Sequence, residues 1–354
     1  MIAALRRIFL PSAPGALRLW LALVVVFHHV TRIEVGKAPV LVFFALSGYW
    51  VYKVWNERYA QTVQPWLTFV ISRWWRLAPV MVLAVCASIA ALIVTHDGAL
   101  PFLRAMPLRQ AFSSVFVLGY AQMPVRPLGP AWSLDIEMQF YLAAPLLALL
   151  VRRIAALFAL AGAYFLYTAG IAVYPELVLS SFLVPFVLGM VAARHDWSVS
   201  PRIGAAGQGL AIALVAAAWL SPWRALLLGS GENAWWPSLN ILLAALVLPQ
   251  ALVSVQNRGG PRDQLWADQS YVVYMLHWPA ILLLRGIHLS GPLGWYIAVA
   301  VLTPLTAALC WAVHRTIDAP LNRARARWVK GRIRPAASPL PDPTKRDDSA
   351  AVFA

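Results

Sequence analysis

The chain of 354 residues is 61% hydrophobic and only 12% charged, with a formal net charge of +15, whereas roughly a quarter of the residues of an ordinary soluble domain are charged. Apolar runs of about 20 residues recur almost throughout, so the composition excludes a water-soluble protein and fits one membrane domain. The basic residues fall between those runs, at Arg6/Arg7, Arg73/Arg76, Arg152/Arg153, Arg194/Arg202, Arg258/Arg262 and from Arg315 to Arg334; this is the pattern of cytosolic loops, and it excludes a nucleic-acid partner.

Hydropathy and charge predict spans near 17–33, 38–55, 77–95, 134–151, 154–174, 178–194, 204–221, 237–255, 270–290 and 294–314. The expected fold is therefore all-α, a polytopic membrane helix bundle of about ten transmembrane helices. An even count with a cytosolic amino terminus puts every basic cluster, and both termini, on the cytosolic side. The first apolar stretch resembles a signal peptide, but Arg18, His28 and His29 interrupt it and no small-residue cleavage site follows, so it reads as a retained span. Residues 110–121 are apolar but too short to cross and read as a re-entrant or interfacial segment of the largest external loop, 96–133. Cys86 and Cys310 sit singly in apolar runs, which supports neither a disulfide nor a metal site. The membrane domain is expected over 1–320, followed at 321–354 by a cytosolic tail, basic and then rich in Pro, Asp and Ser, whose composition predicts disorder.

Ionisable side chains inside spans are costly, and each is a candidate for function. Arg18 and His29 in the first span are eleven residues apart, which leaves them only about 20° apart around a helix and roughly 16 Å apart along it. His28 lies about 80° away from that direction. An imidazole away from bulk water can take a proton from a hydroxyl; equally, His29 can simply anchor the end of a helix. Arg73 and Arg76, three apart, share a helix face and suit phosphate oxygens, although arginine beside tryptophan is also ordinary interface composition. Trp132, Ser133, Asp135 and Glu137 open the fourth span. There Glu137 either orients His29 or an acceptor hydroxyl, or serves as an acidic helix start favoured by the dipole. In the ninth span Ser270, Tyr274 and His277 recur at spacings of four and three, a polar stripe that either glues helices together or lines a cavity.

In chain order these segments resemble the membrane-bound acyltransferase family 3, whose members O-acylate cell-surface polysaccharides and related acceptors. The resemblance covers most of the chain. It rests on Arg18 with His29 across a ten-residue gap, Phe43-Phe44-Ala45-Leu46-Ser47-Gly48, Arg73-Trp74-Trp75-Arg76, Trp132-Ser133-Leu134 through Glu137 with Phe140-Tyr141, and Ser270-Tyr271 through His277-Trp278-Pro279. It implies that His29 is the catalytic base, with Arg18 and Glu137 as its charged partners, and that Arg73 and Arg76 contact an acyl-CoA donor, acetyl-CoA in the simplest case. Trp132, Ser133, Ser270, Tyr274 and His277 are then the expected substrate contacts, and no metal is required. Ser47 and Gly48 would supply close packing of the second span. The implied acceptor is a glycan or lipid-linked sugar, and the implied setting is a bacterial inner membrane. Two positions depart from the family pattern: Ala38-Pro39-Val40 replaces a frequent Gly-Val pair, and Asp318 precedes Ala319-Pro320 where Glu is commoner. The rival expectation is a transporter or flippase that moves an anionic lipid-linked sugar through the same polar cavity.

Overall fold

A computed structural model describes residues 9–31, 33–95, 104, 107–153, 158, 161, 162, 164, 178–231, 234–257, 259–286 and 291–334. Among them the regular structure is helical, and the one strand-like contact is an isolated bridge between Thr62 and Ile333. Helices satisfy their own backbone hydrogen bonds, as a lipid environment demands. In chain order they are α1 (Pro14–Thr31), α2 (Lys37–Glu57), α3 (Pro65–Val94), α4 (Pro107–Phe116), α5 (Trp132–Leu150), α6 (Leu179–Arg194), α7 (Pro201–Leu220), α8 (Arg224–Leu228), α9 (Trp236–Gln256), α10 (Pro261–Gly286), α11 (Gly291–Val313) and α12 (Ala319–Lys330). A π turn over His314–Asp318 joins the last two.

Seven helical stretches among the described residues are long and apolar enough to cross a membrane, rather than the ten expected. The sixth expected span is the 16-residue α6, which is apolar but short. The ninth falls in α10, long at 26 residues but too polar to qualify. The fifth, 154–174, lies outside the described residues except at 158, 161, 162 and 164. The third begins at Pro65 instead of near 77. Arg73 and Arg76 lower the local hydropathy there, yet the surrounding Trp66, Phe69, Trp74 and Trp75 keep the segment helical and packed. The basic stretch after Asp318 is likewise helical, as α12, up to Lys330. Its end is tied to the start of α3 by bonds from Val63 N to Arg332 O (2.8 Å) and from Arg334 N to Gln61 O (3.1 Å). Residues 335–354 of the expected tail lie outside the described residues.

Two contacts set the frame for the site. At one end of α10 the Asp263 carboxylate accepts from Gly15 N at 2.9 Å and Ala16 N at 2.8 Å, capping α1. At the other end His29 meets His277. The Gly15–Asp263 and His29–His277 contacts both join residues 248 apart in the chain, so α1 and α10 run parallel and in register. Gly15 is needed there, since a Cβ would stand 1.8 Å from the Asp263 carbonyl oxygen.

α2 is buried on most of its circumference and forms the centre of the bundle. It crosses α6 through Gly48 and Gly189, whose Cβ atoms would lie 1.9 Å from Phe186 O and 1.8 Å from Ala45 O. Gly48→Ala and Gly189→Ala are each expected to cost about 1–3 kcal/mol by forcing the helices apart, read as a lower melting temperature of the purified protein in detergent. An unchanged melting point for both variants would mean that the crossing is not close.

The segment expected to be re-entrant or interfacial begins as α4, whose Leu108, Phe112, Val115 and Phe116 are exposed. It lies along α3, where the Val115 carbonyl accepts from Trp74 Nε1 at 2.7 Å. Since α3 continues to Val94, the chain has come back by about 30 Å along that helix. It then turns through Val117 (φ 59°) and Gly119 (φ 73°) into a buried loop. That loop is held by Asp135, which accepts from Ala121 N at 2.8 Å, and by Tyr120, which accepts from Leu128 N at 2.8 Å.

Candidate active site

The α1–α10 register brings His29 Nδ1 to 3.0 Å from His277 Nε2. His277 Nδ1 lies 3.1 Å from the Val273 carbonyl, which can only accept, so the neutral ring of His277 carries its proton on Nδ1 and leaves Nε2 bare. His29 Nδ1–H must then be the donor between the rings, and His29 Nε2 keeps a free lone pair. The edge of Trp278 packs on His29 with ring centroids 5.0 Å apart. Trp278 is itself pinned by its Nε1 bond to Pro127 O (2.9 Å) and by Gly129, where a Cβ would strike the indole at 2.7 Å. His28 is engaged differently. Its Nδ1 donates to Ile33 O at 2.7 Å, and its ring packs on Gly36, so it braces the turn after α1.

On the α1 amino-terminal side of this pair lies a cavity of about 190 Å³ between α1, α2, α3, α5 and α10. It gathers six of the residues singled out from the sequence: Arg18, Arg73, Ser133, Glu137, Ser270 and Tyr274. Glu137 Oε1 accepts from Ser47 Oγ at 2.8 Å and from Tyr141 OH at 2.5 Å. The Glu137 carboxylate thus shares the cavity with the two arginines and is held by Ser47 and Tyr141, not by His29. Ser133 Oγ and Tyr274 OH are 2.9 Å apart, and His277 follows Tyr274 by three residues on α10, about 4.5 Å along the axis. The Ser133–Tyr274 pair therefore stands between the charged cavity and the two histidines.

The remaining sequence candidates stand apart from the cavity. Trp132 packs between Phe44 and Phe182, with centroids at 6.4 and 5.4 Å. Arg76 is engaged by Asp318 at 2.7 Å, with Asp268 at 3.8 Å, and its guanidinium lies over Tyr271. Arg73 and Arg76 therefore do not form a free phosphate-binding pair. Asp318, also 3.2 Å from His314, is 3% exposed. Breaking such a buried pair leaves an uncompensated charge. Arg76→Ala and Asp318→Ala should each lower the melting temperature, and the double variant should lose less than the sum; a strictly additive cycle would deny the pairing.

Sequence reasoning undervalued three groups. Tyr141, four residues after Glu137 and so one turn deeper on the same face, was expected in the motif but without a role; it donates to the Glu137 carboxylate. Ser47, expected only to let helices approach, is the cross-helix donor to Glu137. Trp50 gave no signal; its ring lies 5.9 Å from the Arg18 guanidinium.

A bundle of apolar helices that encloses two arginines, a carboxylate and a histidine pair is a membrane enzyme in form. The family model for the acyltransferase domain of acyltransferase family 3 matches residues 13–315, and the chain belongs to that family. It is a membrane acyltransferase. Neither the comparison with curated proteins nor that with solved structures returned a match.

Proposed function

We propose that the protein transfers an acyl group, acetyl in the simplest case, from cytosolic acyl-CoA to a hydroxyl of a glycan or lipid-linked sugar at the outer face of a bacterial inner membrane. One observation carries the reading: the charged cavity and the His29–His277 pair follow one another along the same two helices. Arg73 and Arg18 suit the anionic donor, whose pantetheine arm would enter through the cavity. In the transfer, His29 Nε2 takes the hydroxyl proton as the acceptor oxygen attacks the thioester carbonyl. The C–S bond then breaks, and the departing thiolate takes the proton from the imidazolium, releasing free CoA. His277 acts through His29, holding its Nδ1 proton and so keeping the lone pair on Nε2.

Mass spectrometry of surface glycans from cells with and without the protein tests the reaction. The expected result is an added acyl mass in the first sample only. Identical glycans, together with movement of a lipid-linked sugar across vesicles, would favour the transporter reading.

A further inference from the structure

A second basic site lies where α12, which follows the stretch that the family model matches, meets α3. Arg325 Nη1 donates to Ser72 Oγ at 3.2 Å, and that hydroxyl is 2.7 Å from Tyr59 OH. Arg73 stacks over Tyr59, Phe69 and Tyr141, its guanidinium carbon 5.2–5.8 Å from the three ring centroids. Arg58, next to Tyr59, reaches the Ala326 carbonyl at 3.4 Å. Three guanidinium groups thus surround one tyrosine–serine pair. The ion pairs among the described residues include none of these three arginines, and the buried Nε atoms of Arg73 and Arg325 have no hydrogen-bond partner.

Like charges crowded in a partly buried site repel strongly, and orphaned buried donors add to the cost. A multivalent anion would relieve both. The planar forks of arginine fit phosphate oxygens in bidentate fashion. Arg76 is not available for this, because Asp318 already occupies it.

We infer that Arg58, Arg73 and Arg325 together bind a phosphate-bearing ligand at the arginine-rich mouth of the cavity, with Arg325 supplied by α12. The inference rests on the acyl-CoA reading for one source of phosphate, the donor nucleotide; an anionic lipid headgroup presents the same chemistry. Arg73 lines the cavity as well as the cluster, so a nucleotide held here would have its arm directed inward.

The test is coenzyme A binding to the purified full-length protein in zwitterionic nanodiscs, measured by calorimetry, alongside native mass spectrometry of anionic phospholipid adducts. Losing one charge-assisted contact should weaken binding about tenfold or more in Arg325→Ala and in Arg58→Ala. Arg325→Lys should fall between these and the wild type, and melting curves report whether each variant is folded. Arg327→Ala, an exposed change on the same helix, should have no effect. Unchanged coenzyme A affinity with loss of lipid adducts in the cluster variants would support the site with a lipid headgroup as its ligand. Wild-type coenzyme A binding that is indifferent to the cluster variants, with lipid adducts also unchanged, overturns the site and leaves the donor reading standing. An equal loss in Arg327→Ala would reduce the effect to bulk charge and likewise overturn it. No coenzyme A binding by the wild type, with lipid adducts indifferent to the variants, overturns both readings.

Discussion

His29→Ala is expected to lower acyl transfer by about 10²–10⁴-fold, the usual worth of a positioned general base, in membranes supplied with labelled acetyl-CoA. The size follows from the lone pair on Nε2: of the two imidazoles packed on His29, His277 has its Nδ1 proton committed to Val273 and its Nε2 to His29, and His28, with its ring centroid 4.5 Å away, is anchored through Nδ1 to Ile33 O. His28→Ala should keep most of the activity, because that ring braces the turn through Ile33. His277→Ala should fall between the two, near the 10–100-fold seen when the group orienting a functional histidine is lost. His277→Gln can present an acceptor oxygen to His29 Nδ1–H and should recover part of the loss. Full activity in His29→Ala, or equal losses in His28→Ala and His29→Ala, would remove His29 from the chemistry.

Glu137→Ala is expected to destabilise the protein by about 1–3 kcal/mol, because the cavity that holds Arg18 and Arg73 loses its carboxylate. Two hydroxyls, Ser47 and Tyr141, would also lose their acceptor. Glu137→Gln keeps an acceptor oxygen for both hydroxyls but removes the charge. It should therefore fold, with a smaller drop in melting temperature, while transfer still falls at least about tenfold if the charge counts in the reaction. Tryptophan-monitored melting of the two variants, with transfer rates on the same samples, separates packing from chemistry. A Glu137→Ala protein that melts like the wild type would show that the carboxylate and its two hydroxyl donors do not hold the cavity together.

Much of the bundle was legible because lipid imposes one rule, an apolar run of about 20 residues for each crossing. The rule fails where helices face protein instead of lipid. α10 carries Asp263, Ser270, Tyr274 and His277 on buried faces, so its hydropathy is too low to qualify although its periodicity was readable as a polar stripe. The start of α3 was missed for the complementary reason: Arg73 lies over three aromatic rings, and hydropathy counts its charge but not that packing. In α12 the run Asn322-Arg323-Ala324-Arg325-Ala326-Arg327 after Pro320 held a signal in strong helix formers, which the basic composition masked.

The site divides in the same way. The shared face of Arg18 and His29 follows from spacing within one helix, and the stripe from Ser270 to His277 from spacing within another. What joins them is the register between α1 and α10, set by the Asp263 cap on Gly15 and Ala16, and no periodicity within a single helix encodes it. The Arg76–Asp318 pair spans 242 positions and was hidden for the same reason.

Donor access from the arginine side is the centre of the account, and sealed vesicles of opposite orientation test it most directly. Labelled acetyl-CoA added outside inside-out vesicles, which expose the cytosolic face, should label the enclosed glycan. The same addition to right-side-out vesicles should label nothing. Equal labelling in both orientations, or labelling from the outer face alone, would contradict it.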